Sequence, residues 1–222
     1  MKIGIIFAME EELKELLKFI KLEKEYQIYE LKFYEGKIEN KKVILVQSGI
    51  GKVNSARCCQ ILIDNAKVNY IFCIGVAGGI SPKLNILDIV IADKLIQHDF
   101  DITAFNHKKG YIPNIGTFIP CDKSLIEKAQ TKDTITGTIA TGDIFCTDKK
   151  MSEKIYKKFN ALCVEMEGAS IAQVCYLCKV PFLIIRSISD CPNNKNEITY
   201  EKFLKLSAEK VAIFMKNLLK KL

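Results

Sequence analysis

The run Val180-Pro-Phe-Leu-Ile-Ile-Arg-Ser-Ile-Ser-Asp190 reads as a buried strand that ends in an arginine, two serines and a carboxylate. In an open α/β sheet ligands sit just beyond the carboxyl ends of the strands. Asp190 is therefore placed where chemistry happens, with Arg186 and Ser189 beside it to orient it. Two more acidic clusters follow apolar strands in the same way: Glu10-Glu11-Glu12 and Glu165-Met166-Glu167. Three strands delivering acids to one rim exceed what solvation alone explains. In the second cluster a carboxylate can accept both hydroxyls of a ribose diol while Met166 packs against the ring, although a helix N-terminus by itself favours one such acid.

The elements that must position these groups alternate along the chain. Strand-like runs fall at 2–8, 42–48, 69–76, 88–96, 134–141, 161–165 and 181–188, and helical patterns at 9–20, 52–66, 121–130, 151–159, 167–178 and 199–221. Strands that read as continuous apolar runs between helices argue a mostly parallel sheet covered on both faces. The stretch 25–48 instead alternates, and predicts a local antiparallel meander with turns near Glu35-Gly36 and Glu39-Asn40. The last helix opens at Thr199 as its cap and buries Phe203, Leu204, Ala208, Val211, Met215, Leu218 and Leu222 along one face. The irregular loop 105–118 is long enough to suggest a functional role.

Bulk composition narrows the class. The 222 residues are read as one domain, with a core of ordinary size. No apolar run reaches the ~18 residues of a membrane helix, and Met1–Phe7 runs straight into glutamates with no cleavage site, so a cytoplasmic protein is expected. The net charge of +7 is carried almost wholly by scattered lysines, which argues a solvated surface rather than a nucleic-acid face. The nine cysteines include several inside apolar runs (Cys73, Cys163, Cys175), as in a reducing compartment. With only His98 and His107 available, no metal site is expected, and Asp99-Phe-Asp101 lacks further ligands nearby.

Several motifs then fall into place. Ser48-Gly-Ile-Gly-Lys-Val53 fails as a phosphate loop, lacking glycine at position 46 and a hydroxyl at 53, and fails as a dinucleotide fingerprint at Asn54. It still fits a tight strand-to-helix turn whose N–H groups face a ligand. Gly75-Val-Ala-Gly-Gly79 reads either as a plain turn or as glycines that let backbone at Ala77 and Gly78 approach a sugar or its attacking group. Phe145, in Thr141-Gly-Asp-Ile-Phe145, is able to stack on a flat base.

In order along the chain, Ala8-Met-Glu-Glu-Glu12, Ser48-Gly-Ile-Gly-Lys-Val53, Gly75-Val-Ala-Gly-Gly79, His98-Asp-Phe-Asp-Ile-Thr-Ala-Phe105, Thr141-Gly-Asp143, Val164-Glu-Met-Glu-Gly168 and Arg186-Ser-Ile-Ser-Asp190 resemble the bacterial methylthioadenosine/S-adenosylhomocysteine nucleosidases of the nucleoside phosphorylase superfamily. The resemblance implies a three-layer α/β/α fold with a central twisted mixed sheet, and a cofactor-free hydrolase. It implies Glu12 as the base that deprotonates water and Asp190 as the acid that protonates N7 of adenine. It implies Glu167 on the ribose hydroxyls beside Met166, Phe145 on adenine with the Cys146 backbone reading its edge, and Met9, Ile50 and Tyr200 around the 5′-alkylthio group. Arg186 and Ser189 would support Asp190, whose pKa burial should raise. Phe105 and Pro113 would reach into a partner subunit's site, making a homodimer. Val76 stands where some relatives carry serine, and Phe7 where glycine is common. A phosphate-using phosphorylase and a non-catalytic nucleoside-binding protein are the alternatives; three glutamates at the attack loop would repel phosphate.

Overall fold

The computed structural model describes residues 1–191 and 200–222, the side chains of residues 200–202 excepted. The expected Thr199 cap and the Tyr200 side chain lie outside the described residues. The first strand, β1 (Lys2–Phe7), is buried from Ile3 onward and lies between β4 (Lys41–Gln47) and β5 (Tyr70–Gly79), parallel to both. β2 (Lys21–Ile28) and β3 (Leu31–Ile38) continue outward from β4 as antiparallel strands.

On its other side the sheet closes. β10 (Phe182–Asp190) runs parallel to β5 and antiparallel to β6 (Ile89–Gln97). β6 continues to β8 (Thr134–Thr141) and β9 (Ala161–Glu165), and β9 returns to β5 through Gly78 and Gly79. The two-residue β7 (Ile119–Pro120) borders β6. The sheet is thus mixed, as expected, but half of it forms a ring of β5, β10, β6, β8 and β9.

Helices cover both faces. α1 (Glu10–Leu17) and α6 (Tyr200–Lys221) pack together on one side; α2 (Lys52–Ala66) and α5 (Gly168–Cys178) pack together on the other. The short α3 (Lys123–Ala129) and α4 (Lys149–Phe159) are capped by Asp122 and Asp148, whose carboxylates accept N–H groups of the first turn. α6 buries Phe203, Leu204, Ala208, Val211, Met215 and Leu218, the predicted stripe, with Leu222 half-buried.

Three local expectations are corrected. The first helix stops at Leu17, and β2 begins at Lys21. The first hairpin turn lies at Tyr29-Glu30, where Tyr29 takes φ 53°, while Glu35-Gly36 lies inside β3. Gly75–Gly79 is the end of β5 and not a turn. A Cβ on Gly36 would stand 2.4 Å from the Lys21 carbonyl oxygen across the ribbon, so this glycine serves close strand approach.

Candidate active site

Glu12 is the third residue of α1, and its carboxylate folds back over the start of that helix. Oε2 accepts the N–H groups of Ala8 and Met9, both at 3.0 Å, and Oε1 accepts that of Val76 on β5 at 3.0 Å. A carboxylate has about four acceptor sites. Three are filled by fixed N–H groups, and Glu12 lines a cleft. Burial raises its pKa, while the Arg186 charge and the three N–H groups oppose the rise. Val76 serves Glu12 through its backbone, so this contact needs no hydroxyl side chain.

Glycine at position 75 is what allows this approach. A Cβ there would meet Glu12 Oε1 at 2.5 Å and the Arg186 guanidinium at 3.0 Å. The glycine-rich segment therefore admits the protein's own catalytic-type side chains close to the strand backbone.

Glu165 and Glu167 share Arg186 but differ in their other partners. Glu165 ends β9. Its carboxylate accepts the N–H groups of Glu167 (3.1 Å) and Gly168 (2.7 Å), capping α5, and also bonds the Thr141 hydroxyl and Arg186. Glu167 Oε1 accepts the Gly51 N–H at 2.9 Å, and Oε2 lies 3.7 Å from Arg186. Burial, reinforced by the neighbouring Glu165 charge, pushes the Glu167 pKa up to about 7. Arg186 is fully buried; burial works against its charge, but the carboxylates of Glu165, Glu167 and Glu12 around it hold it firmly charged.

This corrects the role expected for Arg186. Its contacts are Glu165, Glu167 and Cys73 Sγ (3.3 Å), not Asp190. Asp190 is oriented by Ser189, whose hydroxyl lies 2.8 Å from its Oδ1. Register shifts between Ile188 and Asp190 as β10 pairs with β5, and this irregularity places Asp190 over Gly78, where a Cβ would stand 3.2 Å from Oδ2. Burial raises the Asp190 pKa, with the Ser189 hydrogen bond opposing.

Glu12, Glu165, Glu167 and Asp190 open on one cleft. Its wall contains Met9, Glu12, Ile50, Ala77, Gly78, Phe145, Cys146, Glu165, Met166, Glu167, Ser189 and Asp190 from the sequence-derived set. Phe105 and Pro113 stand exposed away from the cleft of their own chain. Ile144 joins the wall without being anticipated; the signal is an apolar pair, Ile144-Phe145, separated from the end of β8 by Gly142 and Asp143. Thr141 was also missed as a ligand of Glu165. Its hydroxyl additionally accepts the Ala169 N–H at 2.8 Å, stitching β8 to α5.

The turn Gly49–Gly51, with φ of 82° and 98° at its two glycines, fits the predicted strand-to-helix turn. Its N–H groups at Gly51 and Lys52 hold the carboxylates of Glu167 and Asp143.

The ring-closed mixed sheet with carboxylates at its strand ends is a nucleoside phosphorylase-like architecture. Residues 2–220 match the family described as the phosphorylase superfamily. A 5′-methylthioadenosine/S-adenosylhomocysteine nucleosidase of Geobacillus is 41% identical over 217 residues, 94% of each chain. The Streptococcus pneumoniae structure of the enzyme so named, with a transition-state inhibitor, is 36% identical, covers 100% of this chain and 99% of that one, and superposes with a TM-score of 0.94. A native futalosine hydrolase of Helicobacter pylori is also 36% identical, covering 100% and 98%, with a TM-score of 0.93. The chain belongs to the phosphorylase superfamily and, within it, to the 5′-methylthioadenosine/S-adenosylhomocysteine nucleosidases.

Proposed function

We propose that this nucleosidase divides its chemistry among Glu12, Asp190 and Glu167. It is an N-glycosyl hydrolase that releases adenine from 5′-methylthioadenosine and S-adenosylhomocysteine, and 5′-deoxyadenosine suits the same scheme. Adenine leaves poorly unless protonated, and water attacks poorly unless deprotonated. An acid and a base on opposite faces of the sugar answer both needs. Glu12 takes a proton from water as the water oxygen bonds to C1′. The bond from C1′ to the base breaks, its electron pair passes to adenine, and Asp190 delivers its proton to N7. Glu167 accepts the ribose hydroxyls beside Met166 and stabilises the electron-deficient sugar. Phe145 stacks on adenine, the Cys146 backbone reads its edge, and Met9, Ile50 and Tyr200 receive the 5′-group. A second copy supplies Phe105 and Pro113, so the working form is a homodimer. Nine free cysteines suit the cytoplasm.

The observation that carries this reading is Glu12, held by three N–H groups on the wall of the cleft that Asp190 also lines. Water is favoured over phosphate because the described residues lining the cleft include no lysine or arginine. Arg186, buried beside these acids, is already engaged by two glutamates.

The test is adenine release from methylthioadenosine, with and without phosphate, for the wild type and Asp190→Asn. Release independent of phosphate, falling roughly 10²–10⁴-fold in the variant, is expected. Strict phosphate dependence would make the protein a phosphorylase, and an unimpaired variant would remove Asp190 from the mechanism.

A further inference from the structure

The cleft wall at Ile144, Phe145 and Cys146 belongs to a segment without regular structure between β8 and α4. Its near anchor is Asp143. The Asp143 N–H donates to Asp99 Oδ2 at 2.9 Å, and its Oδ1 accepts the Lys52 N–H at 2.8 Å. The Lys52 ammonium closes the arrangement: Nζ lies 2.8 Å from Asp99 Oδ1, 3.3 Å from Gln97 Oε1 and 4.0 Å from Asp143 Oδ2. Lys52 and Asp99 side chains are only 17% and 16% exposed, so the pair is weakly screened.

Lys52 also breaks a local rule. It opens α2, and the N-terminal end of a helix disfavours a cation. A residue that violates local preference and is compensated by specific partners marks a site with another purpose. Here the compensation is two aspartates from different strand ends, and through them Lys52 ties α2 to the end of β6 and to the start of the 143–148 segment. The preceding residue, Gly51, holds Glu167 through its N–H. The same helix start thus fixes the group expected on the ribose and the anchor of the wall expected on adenine.

We propose that Lys52 is a positioning residue for this reaction: without touching substrate, its ammonium clamps Asp99 and Asp143 together and so holds the Phe145–Cys146 wall at the distance that binds the base. Removing the ammonium leaves two carboxylates converging on one vacated point, and their repulsion displaces the segment. The inference rests on the nucleosidase reading, because the wall matters through base binding.

The experiment measures KM and kcat for methylthioadenosine hydrolysis in wild type, Lys52→Met, Lys52→Arg and Asp99→Asn, with thermal midpoints and circular dichroism recorded for each. Lys52→Met should raise KM about tenfold or more with kcat within about threefold, the pattern of lost ground-state positioning. Lys52→Arg should recover most of the KM. In the double variant Lys52→Met/Asp99→Asn, the KM effects should be less than additive, because removing one repelling carboxylate relieves the damage. A merely structural role would lower the midpoint and leave the KM to kcat split unmoved. An unchanged KM in folded Lys52→Met overturns the proposal. Calorimetric titration of adenine reads the clamp independently of turnover. If wild type bound adenine but hydrolysed nothing, the nucleosidase reading would fail, whereas adenine affinity still weakened about tenfold in Lys52→Met would sustain the clamp.

Discussion

On the outer ribbon of β2 and β3, Glu23 meets Lys37 at 3.1 Å and Glu25 meets Lys32 at 2.6 Å, all four side chains roughly half in water. Where β5, β9 and β10 end, Arg186 meets Glu165 and Glu167 with side chains between 2% and 7% exposed. The ingredients are the same and the physics is opposite. Water and salt screen the ribbon pairs, which hold little energy. The buried group is charge-imbalanced as well: Glu12, Glu165 and Glu167 face one guanidinium, so full ionisation would leave two negative charges in a desolvated space. Such an arrangement is poor as a device for stability. It is well suited to stabilising a positive sugar.

Arg186→Met should break the comparison most visibly. Removing one partner from a buried ionic cluster typically costs about 3–5 kcal/mol. The three glutamates would then have no counter-charge, and the already raised pKa values of Glu12 and Glu167 would rise further. A carboxyl whose folded-state pKa is raised loses stability as pH climbs from its unfolded value towards its folded one. The variant's deficit in urea unfolding should therefore be larger at pH 8 than at pH 5. An equal deficit at both would mean that lost packing, and not uncompensated charge, is what Arg186 supplies.

Glu167 sharpens the same point with a smaller effect. Its pKa of about 7, against an ordinary 4.5, means the folded protein binds a proton there that the unfolded chain has released. This group's contribution is fully present below about pH 4.5 and is lost as pH rises through about 7. Glu167→Gln, which keeps an acceptor for the Gly51 N–H, should gain on wild type across that window by on the order of 2–3 kcal/mol. Its kcat/KM profile should also lose an acid limb near pH 7. A stability difference independent of pH would show that the Glu167 carboxyl is ionised throughout.

The two regions also differed in how legible they were. The apolar runs of β1, β9 and β10 and the acids at their ends announce both the buried strands and the rim. The same sequence left the start of β2 obscure, because Lys21–Ile28 is nearly all exposed and its first four residues carry little apolar pattern to read. Gly36 consequently reads as a turn, and Gly75–Gly79 reads either as a turn or as a close approach, since a glycine needed for close approach looks in sequence like a glycine needed for bending. Arg186 was paired with the wrong acid because Asp190 is its near neighbour in sequence, whereas Glu165 and Glu167 reach it only through the ring of strands. That ring depends on pairings such as β5 with β9, which join segments far apart in the chain and leave no local pattern. The Lys52–Asp99–Asp143 contacts are of the same kind. Asp99, which lacks further metal ligands nearby in sequence, is the partner of a lysine 47 residues away.

The smallest expected effect lies on the ribbon. Lys37 faces Glu23 across β2 and β3, near the register shift between Leu22 and Lys24 that increases local twist. Lys37→Ala removes the pair but leaves Glu23 hydrated, so no buried charge is stranded. The thermal midpoint should move by less than about 2 °C. Adenine release should not change, because nothing in this pair reaches the cleft wall. Added salt should erase what difference remains, since exposed charges are screened over about 10 Å at 0.1 M. A larger shift that survived high salt would show that the lysine stem contributes by packing along the strand, and the contrast between ribbon and rim would then rest on burial of carbon as well as on screening of charge.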